Sequence, residues 1–189
     1  MTQLTVITPP AEAPLSLDTV KAFLRIGHDG EDTLVADLVQ AARERLERVA
    51  GLALVLQTVK VCWTEWPKGL TGRGTRLPIE PVQQLGAVRL VDADDTFTDQ
   101  IDAFQIICDR LCLRPWHSLP CLPEGGQIEM ELQVGFGTAE QVPDDLREAL
   151  LHLIGAMYQS RAQGAHASSR IGLPSDVQAI LDARKEVRL

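Results

Sequence analysis

VGFGTAEQVPDDLREALLHLIGAMYQSR, residues 134 to 161, sets two readings against each other. Either Gly135 and Gly137 form a loop that cradles a phosphate at a helix N-terminus, or a strand hands over to a helix. The dinucleotide fingerprint needs a third glycine where the helix opens, and the Walker loop needs Gly-Lys followed by Ser or Thr. Neither is present. Five residues and Pro143 intervene before the helix, and Asp144 and Asp145 would repel an anion from its positive end. The glycines therefore read as a turn. Pro143 fits a first helical turn, where its missing N–H has no partner to lose. Leu146, Ala149, Leu150, Leu153, Ile154 and Met157 then repeat at helical spacing. This predicts a core-facing helix of about five turns, roughly 28 Å long at 1.5 Å per residue.

Upstream, residues 1–15 contain Pro9, Pro10 and Pro14 and read as an extended arm. Ser16 is placed to cap a short helix whose apolar positions are Leu17, Val20, Phe23, Leu24 and Ile26, with Gly27 as its stop. The HDGED connection (28–32) lacks the D-x-D-x-D-G order and distal glutamate of a calcium loop. Its acids suit the first turn of a second helix, from about Glu31 to Ala50. Leu34, Val35, Leu38, Val39, Ala42, Leu46 and Val49 stripe that helix, and Gly51 ends it. So short a connection predicts an antiparallel hairpin.

From Leu52 the period changes. LALVLQTVKVCW (52–63), LPIE (77–80), LGAVRLVD (85–92), DAFQIICD (102–109) and GQIEMELQVGF (126–136) are strand candidates, separated by the turn clusters PKGLTGRG, DADD and PEGG. Beyond Tyr158, SRAQGAHASSRIGLPSD (160–176) reads as a linker. Ser175 can then cap a last amphipathic segment, with Val177, Ile180, Leu181 and Val187 on one face and Arg184, Lys185 and Arg188 near its end.

The expected class is α+β: a mainly helical core of a helix hairpin plus a long helix, an inserted antiparallel β meander, and a C-terminal helix on a linker. The expected organisation is an extended arm at 1–15, a helical core from 16–51 and 138–163, a β insertion at 52–137, and a linker with a docking helix at 164–189.

The formal net charge is −8, and 23% of residues are charged. No run of Lys or Arg exceeds two residues, so the clustered cations needed to displace counterions from DNA are missing. The N-terminus has no basic start followed by an apolar core, and no apolar run approaches membrane-spanning length. The expectation is a soluble cytoplasmic chain with no membrane partner.

Chemistry is sparse. Cys108, Cys112, His117 and Cys121 offer four zinc ligands on paper, but their spacing matches no usual knuckle. Strand alternation would instead bury Cys108 as a small hydrophobe, giving reduced, mostly buried thiols. His28, His117, His152 and His166 are scattered; His152 lies beside the main apolar stripe and reads as a structural group before it reads as an acid–base catalyst. Asp92, Asp94 and Asp95 read as a solvated hairpin tip. No nucleophile elbow or HExxH pair is present. No catalytic, cofactor or metal residue is assigned.

The order of these pieces carries a resemblance. LSLDTVKAFLRIGHDGEDTLVADLVQAARERLERVAG, the LPIEPVQQLGAVRLVDADD hairpin, the VGFG-then-VPDDLREAL junction and the LP-x-x-V-x-x-I-L tail resemble the head–tail connector (neck adaptor) proteins of long-tailed bacteriophages and gene transfer agents. The likeness spans nearly the whole chain; the DARKEVRL ending departs from it. It implies no catalysis and no cofactor. It implies a homo-oligomeric ring, often a dodecamer, at the virion neck, made in the bacterial cytoplasm. The implied partners are the portal protein, a tail-side neck or tail-terminator (stopper) protein, and DNA as passing cargo, which an acidic lining would not grip.

On this reading Leu173, Val177, Ile180, Leu181, Arg184, Val187 and Arg188 are the candidate portal-docking residues, and 165–189 orders on docking. The competing local reading is that 177–189 packs on its own domain. Two other classes stay open: a small acidic metal-dependent hydrolase, and a generic helical protein-interaction module.

Overall fold

A computed structural model describes residues 2–162 and 172–186, with side chains over 2–161 and 172–184. The chain is an α+β mix. It divides into two compact units, Met1–Ala11 with Gly51–Phe136, and Glu12–Ala50 with Gly137–Leu189.

The first unit is built of strands. β1 (Thr2–Thr8), β2 (Gln57–Trp63), β4 (Val82–Val91), β5 (Phe97–Asp99) and β8 (Gln127–Val134) form one antiparallel sheet in the order β1-β2-β8-β4-β5. β3 (Thr75–Arg76), β6 (Phe104–Ile107) and β7 (Arg110–Leu113) form a second, ordered β3-β7-β6. β2 and β8 alternate strictly in burial, as the period of two demands of a sheet with one wet face. Val59, Val61, Met130 and Leu132 point inward and join Val88 and Phe104 in one buried cluster. The wet face carries cross-strand ion pairs, Lys60–Glu129 at 3.0 Å and Arg89–Glu131 at 2.5 Å.

Several expectations are corrected here. The arm contains β1, which pairs along β2 from Thr2↔Trp63 to Thr8↔Thr58. The sheet is no meander, because β8 lies between β2 and β4. DAFQIICD is a 3-10 turn (Ile101–Ala103) leading into β6, and LPIE is no strand: it forms the isolated Leu52↔Glu80 bridge and places Leu77 and Ile79 in the buried cluster. Cys108 is exposed: it and Asp109 take left-handed φ values of 49° and 56° in the β6–β7 turn, and that turn was hidden inside an apolar run. Cys121 is also exposed, so the thiols are not mostly buried. The emphasis on a mainly helical core finds no clear support, since strands are about as common as helices and the β unit has its own buried cluster.

The second unit holds α1 (Leu17–Leu24), α2 (Asp32–Ala50), α3 (Asp144–Ala162) and α4 (Ser175–Glu186). The Ser16 side chain accepts from Thr19 N–H at 3.2 Å, capping α1 as its sequence predicts. α1 ends at Leu24, three residues before Gly27, capped by Arg25 in the left-handed region at φ 59°. Lys21 bridges Asp29 and Asp32 at 2.7 and 2.6 Å, which ties α1 to the first turn of α2. Val20, Val35, Leu38, Ala42, Leu46 and most of the α3 stripe are buried, and α3 touches each of the other three helices. The opening stretch is a handover. Gly135 has φ 116°, and a Cβ there would lie 2.5 Å from the Val55 carbonyl oxygen, so only glycine fits. Thr138 and Gln141 then form a reciprocal capping box on a short 3-10 turn before α3.

Candidate functional site

Most of the sequence-nominated docking residues sit on α4, and α4 lies along α3. Val177 and Leu181, four residues apart on one helix face, are 0% and 3% exposed. Leu173, Ile180 and Arg184 are half-buried. Val187 and Arg188 lie outside the described residues.

Two polar contacts bracket the apolar one. Near the end of α4, Arg184 Nη1 donates to both carboxylate oxygens of Asp145, at 2.7 and 2.6 Å. At its start, Asp176 meets Nδ1 of His152. Asp145 opens α3 and Arg184 closes α4, so the pairing runs the helices antiparallel. It also puts each charge at the helix end whose dipole favours it. Asp176 sits in the first turn of α4, and its carboxyl is held below the ordinary aspartate range. The His152 hydrogen bond is the largest cause, followed by the Val177 backbone N–H.

Beside this seam an open groove of about 560 Å³ is lined by Phe23, Arg25, His152, Gly155, Tyr158 and Asp176, among others. Phe23 stacks on the His152 ring with centroids 6.2 Å apart. Gly155 permits that approach, since a Cβ there would lie 3.2 Å from Phe23 Cε1. The Tyr158 hydroxyl donates to Glu31 at 2.7 Å, and that bond raises the phenol's pKa. His152 is thus clamped between an aromatic ring and a carboxylate, an arrangement that positions α4.

The tail signal in the sequence, a cap followed by apolar positions at helical spacing, located α4 correctly. It missed Asp145 and His152, because nothing local links residue 145 to 184 or 152 to 176. Among the described residues, no group of three or more His, Cys, Asp or Glu is arranged to hold a metal ion, and Cys108, Cys112, His117 and Cys121 do not converge. No described helix is long and apolar enough to cross a membrane.

Comparison with known proteins points to one kind of particle. The model of the phage gp6-like head–tail connector protein family matches residues 14–71, which span α1, α2 and β2. Among solved structures, a chain in the neck of an empty gene transfer agent (GTA) particle, computed with C6 symmetry, superposes with a TM-score of 0.80 at 26% identity. That match covers 96% of this chain and 94% of the other. A chain in the virion of a native GTA particle gives 0.78 at 26% identity, covering 96% and 94%. One in a native GTA neck computed with C12 symmetry gives 0.77 at 25%, covering 96% and 93%. No match is found among curated protein sequences.

Proposed function

We infer that this chain is a structural head–tail connector of a phage-like particle, located at the virion neck. The observation that carries this is the likeness over 96% of the chain to a GTA neck protein, together with the connector-family match over 14–71. A ring oligomer fits the symmetric assemblies in which the similar chains occur. The role is structural and not enzymatic.

The finer assignment is also a proposal. The ring, a dodecamer, sits between the portal protein and a tail-side neck or terminator (stopper) protein, and DNA passes through it. A chain of charge −8 suits a conduit that must not retain its cargo. α4 is the portal-docking element, together with Val187 and Arg188. Because Val177 and Leu181 already lie against α3, docking exchanges one apolar contact for another. The net gain per copy is small, and a ring supplies the affinity through effective concentration.

The deciding experiment is electron microscopy of particles from producer cells lacking the gene. DNA-filled heads lying beside complete free tails are expected. Normal tailed particles would remove the connector assignment.

A further inference from the structure

The outer face of the second sheet is basic, although no single run of the sequence is. Residues 66–79 and 110–123 hold Lys68, Arg73, Arg76, Arg110 and Arg114 and not one Asp or Glu. The pairing of β3, β7 and β6 brings these two spans together. On the inner face Leu111 and Phe104 are buried, with Ile106 and Leu113 partly buried against the core. Alternation therefore sends Arg76, Arg110 and Ile107 outward, and the register sets them side by side as Arg76↔Arg110↔Ile107. Arg110 Nη1 donates to the Gly74 carbonyl oxygen at 2.9 Å, which holds Arg73 and Gly74 beside β7. Of the five cations, Arg76 has a described carboxylate partner, Glu80 at 2.7 Å. Lys68, Arg73, Arg110 and Arg114 are exposed and form no ion pair with a described residue. Like charges on neighbouring strands repel, so the face gains when an anionic surface covers it. Exposed apolar groups accompany the charge. Ile107 is 50% exposed, and Trp116, at φ 68° in the turn after β7, is 100% exposed. Arginine with an exposed Trp is the composition of a protein–protein interface.

Resting on the connector reading, we propose that this basic face docks on the β4–β5 hairpin, residues 92–99, of a second copy of this chain. Charge complementarity selects the occupant. Two chains of −8 repel unless opposite charges meet where they join. The hairpin supplies Asp92, Asp94, Asp95 and Asp99 without a Lys or Arg among them. Asp94 and Asp95 are exposed, and no described cation pairs with either. Other acids are already engaged: Glu129 by Lys60, Glu131 by Arg89 and Asp145 by Arg184. The hairpin is also preformed. Asp92 accepts from the Thr96 N–H at 3.0 Å, which fixes the tip. Phe97 is 63% exposed, with Arg89 over its ring at 5.4 Å. Set against Ile107 and Trp116 of the neighbour, it gives the contact an apolar centre within a rim of charge pairs. Duplex DNA fits less well, since its phosphates would meet the arginines but offer Ile107 no apolar surface. Symmetry agrees, because two different patches joined head to tail close a ring, whereas a self-complementary patch stops at a dimer.

The test places a benzophenone-bearing side chain at position Ile107 of the full-length protein and irradiates assembled particles. The expected product is a covalent dimer of this chain, with the cross-linked peptide mapping to 92–99. A cross-link to DNA, to another particle protein or to a different part of a second copy would overturn the proposal, as would none in particles that contain the chain. In parallel, the Arg73→Glu/Arg110→Glu chain should keep its thermal unfolding transition but enter particles at least about tenfold less than the unaltered chain. Asp94→Lys/Asp95→Asn should do the same, and Asn tolerates the left-handed φ of 57° at position 95. A chain carrying all four changes should recover most of the loss, because the opposed charges are restored in reversed order. Unchanged incorporation of either folded double variant, or no recovery in the fourfold one, counts against the contact. Particles that join heads to tails without any of this chain would instead remove the connector reading itself.

Discussion

Truncating Leu181 separates α4 from the rest of its unit. The Leu181 side chain is 3% exposed between α4 and α3, so Leu181→Ala removes a buried isobutyl group, worth about 2–5 kcal/mol at a packed site. α4 is joined to α3 through residues 163–174, and among the described residues Val177 and Leu181 are its buried apolar positions, with the Arg184–Asp145 ion pair and the His152–Asp176 contact beside them. The loss is therefore spent on undocking α4, and it cannot exceed the free energy of that docking. At about 1.4 kcal/mol per tenfold, the opening equilibrium of α4 rises by roughly thirtyfold to a few thousandfold. Amide hydrogen exchange read by mass spectrometry should show residues 175–186 losing protection by that factor. Protection around Leu150 and Leu153 in α3, and the main thermal transition, should change little. Ile180→Ala, at a half-buried position, should cost below about 1.5 kcal/mol. Unchanged protection in α4, or equal loss in α3 and α4, would refute the picture of a separately docked helix.

Acid should loosen the same seam from its other end. The Asp176 carboxyl has a lowered folded-state pKa, so its contribution is intact above the ordinary aspartate value of 3.8 and is lost as pH falls through the lowered value. Asp176→Asn should flatten the pH dependence of α4 protection across that window; an unchanged acid limb would assign the dependence to other groups. Gly135→Ala should destabilise the strand-to-helix junction by about 2–4 kcal/mol in urea unfolding, because φ is 116° and the Cβ would meet the Val55 backbone. Gly27→Ala, with nothing within 4 Å of its Cβ, should stay within about 0.5 kcal/mol; similar costs for both variants would contradict the steric argument.

The helical unit was legible because its signals are local. The Ser16 cap, the α2 and α3 stripes, the acids in their first turns and the glycines before α3 are each decided by neighbours within a few positions. The same periodicity exposed the amphipathic tail and, with it, most of the candidate docking residues. The order of the motifs also carried the likeness to connector proteins.

What no local pattern contains is which distant segments meet. β8 pairs with both β2 and β4 across some seventy and forty-five residues of chain. Hydrophobic alternation says that a strand has a buried face, and not which strand lies beside it. TQLTVIT reads as an arm because of the prolines after it, and becomes a strand only where β2 offers its backbone. Cys108 turns outward because a left-handed turn interrupts an apolar run. Asp145 and His152 become part of the α4 seam only when α3 and α4 lie antiparallel, since a charge finds its partner through space. Composition and period therefore determined which segments are helices and which residues are apolar. Tertiary pairing alone decided the sheet order, the open edge at β1 and the seat of α4.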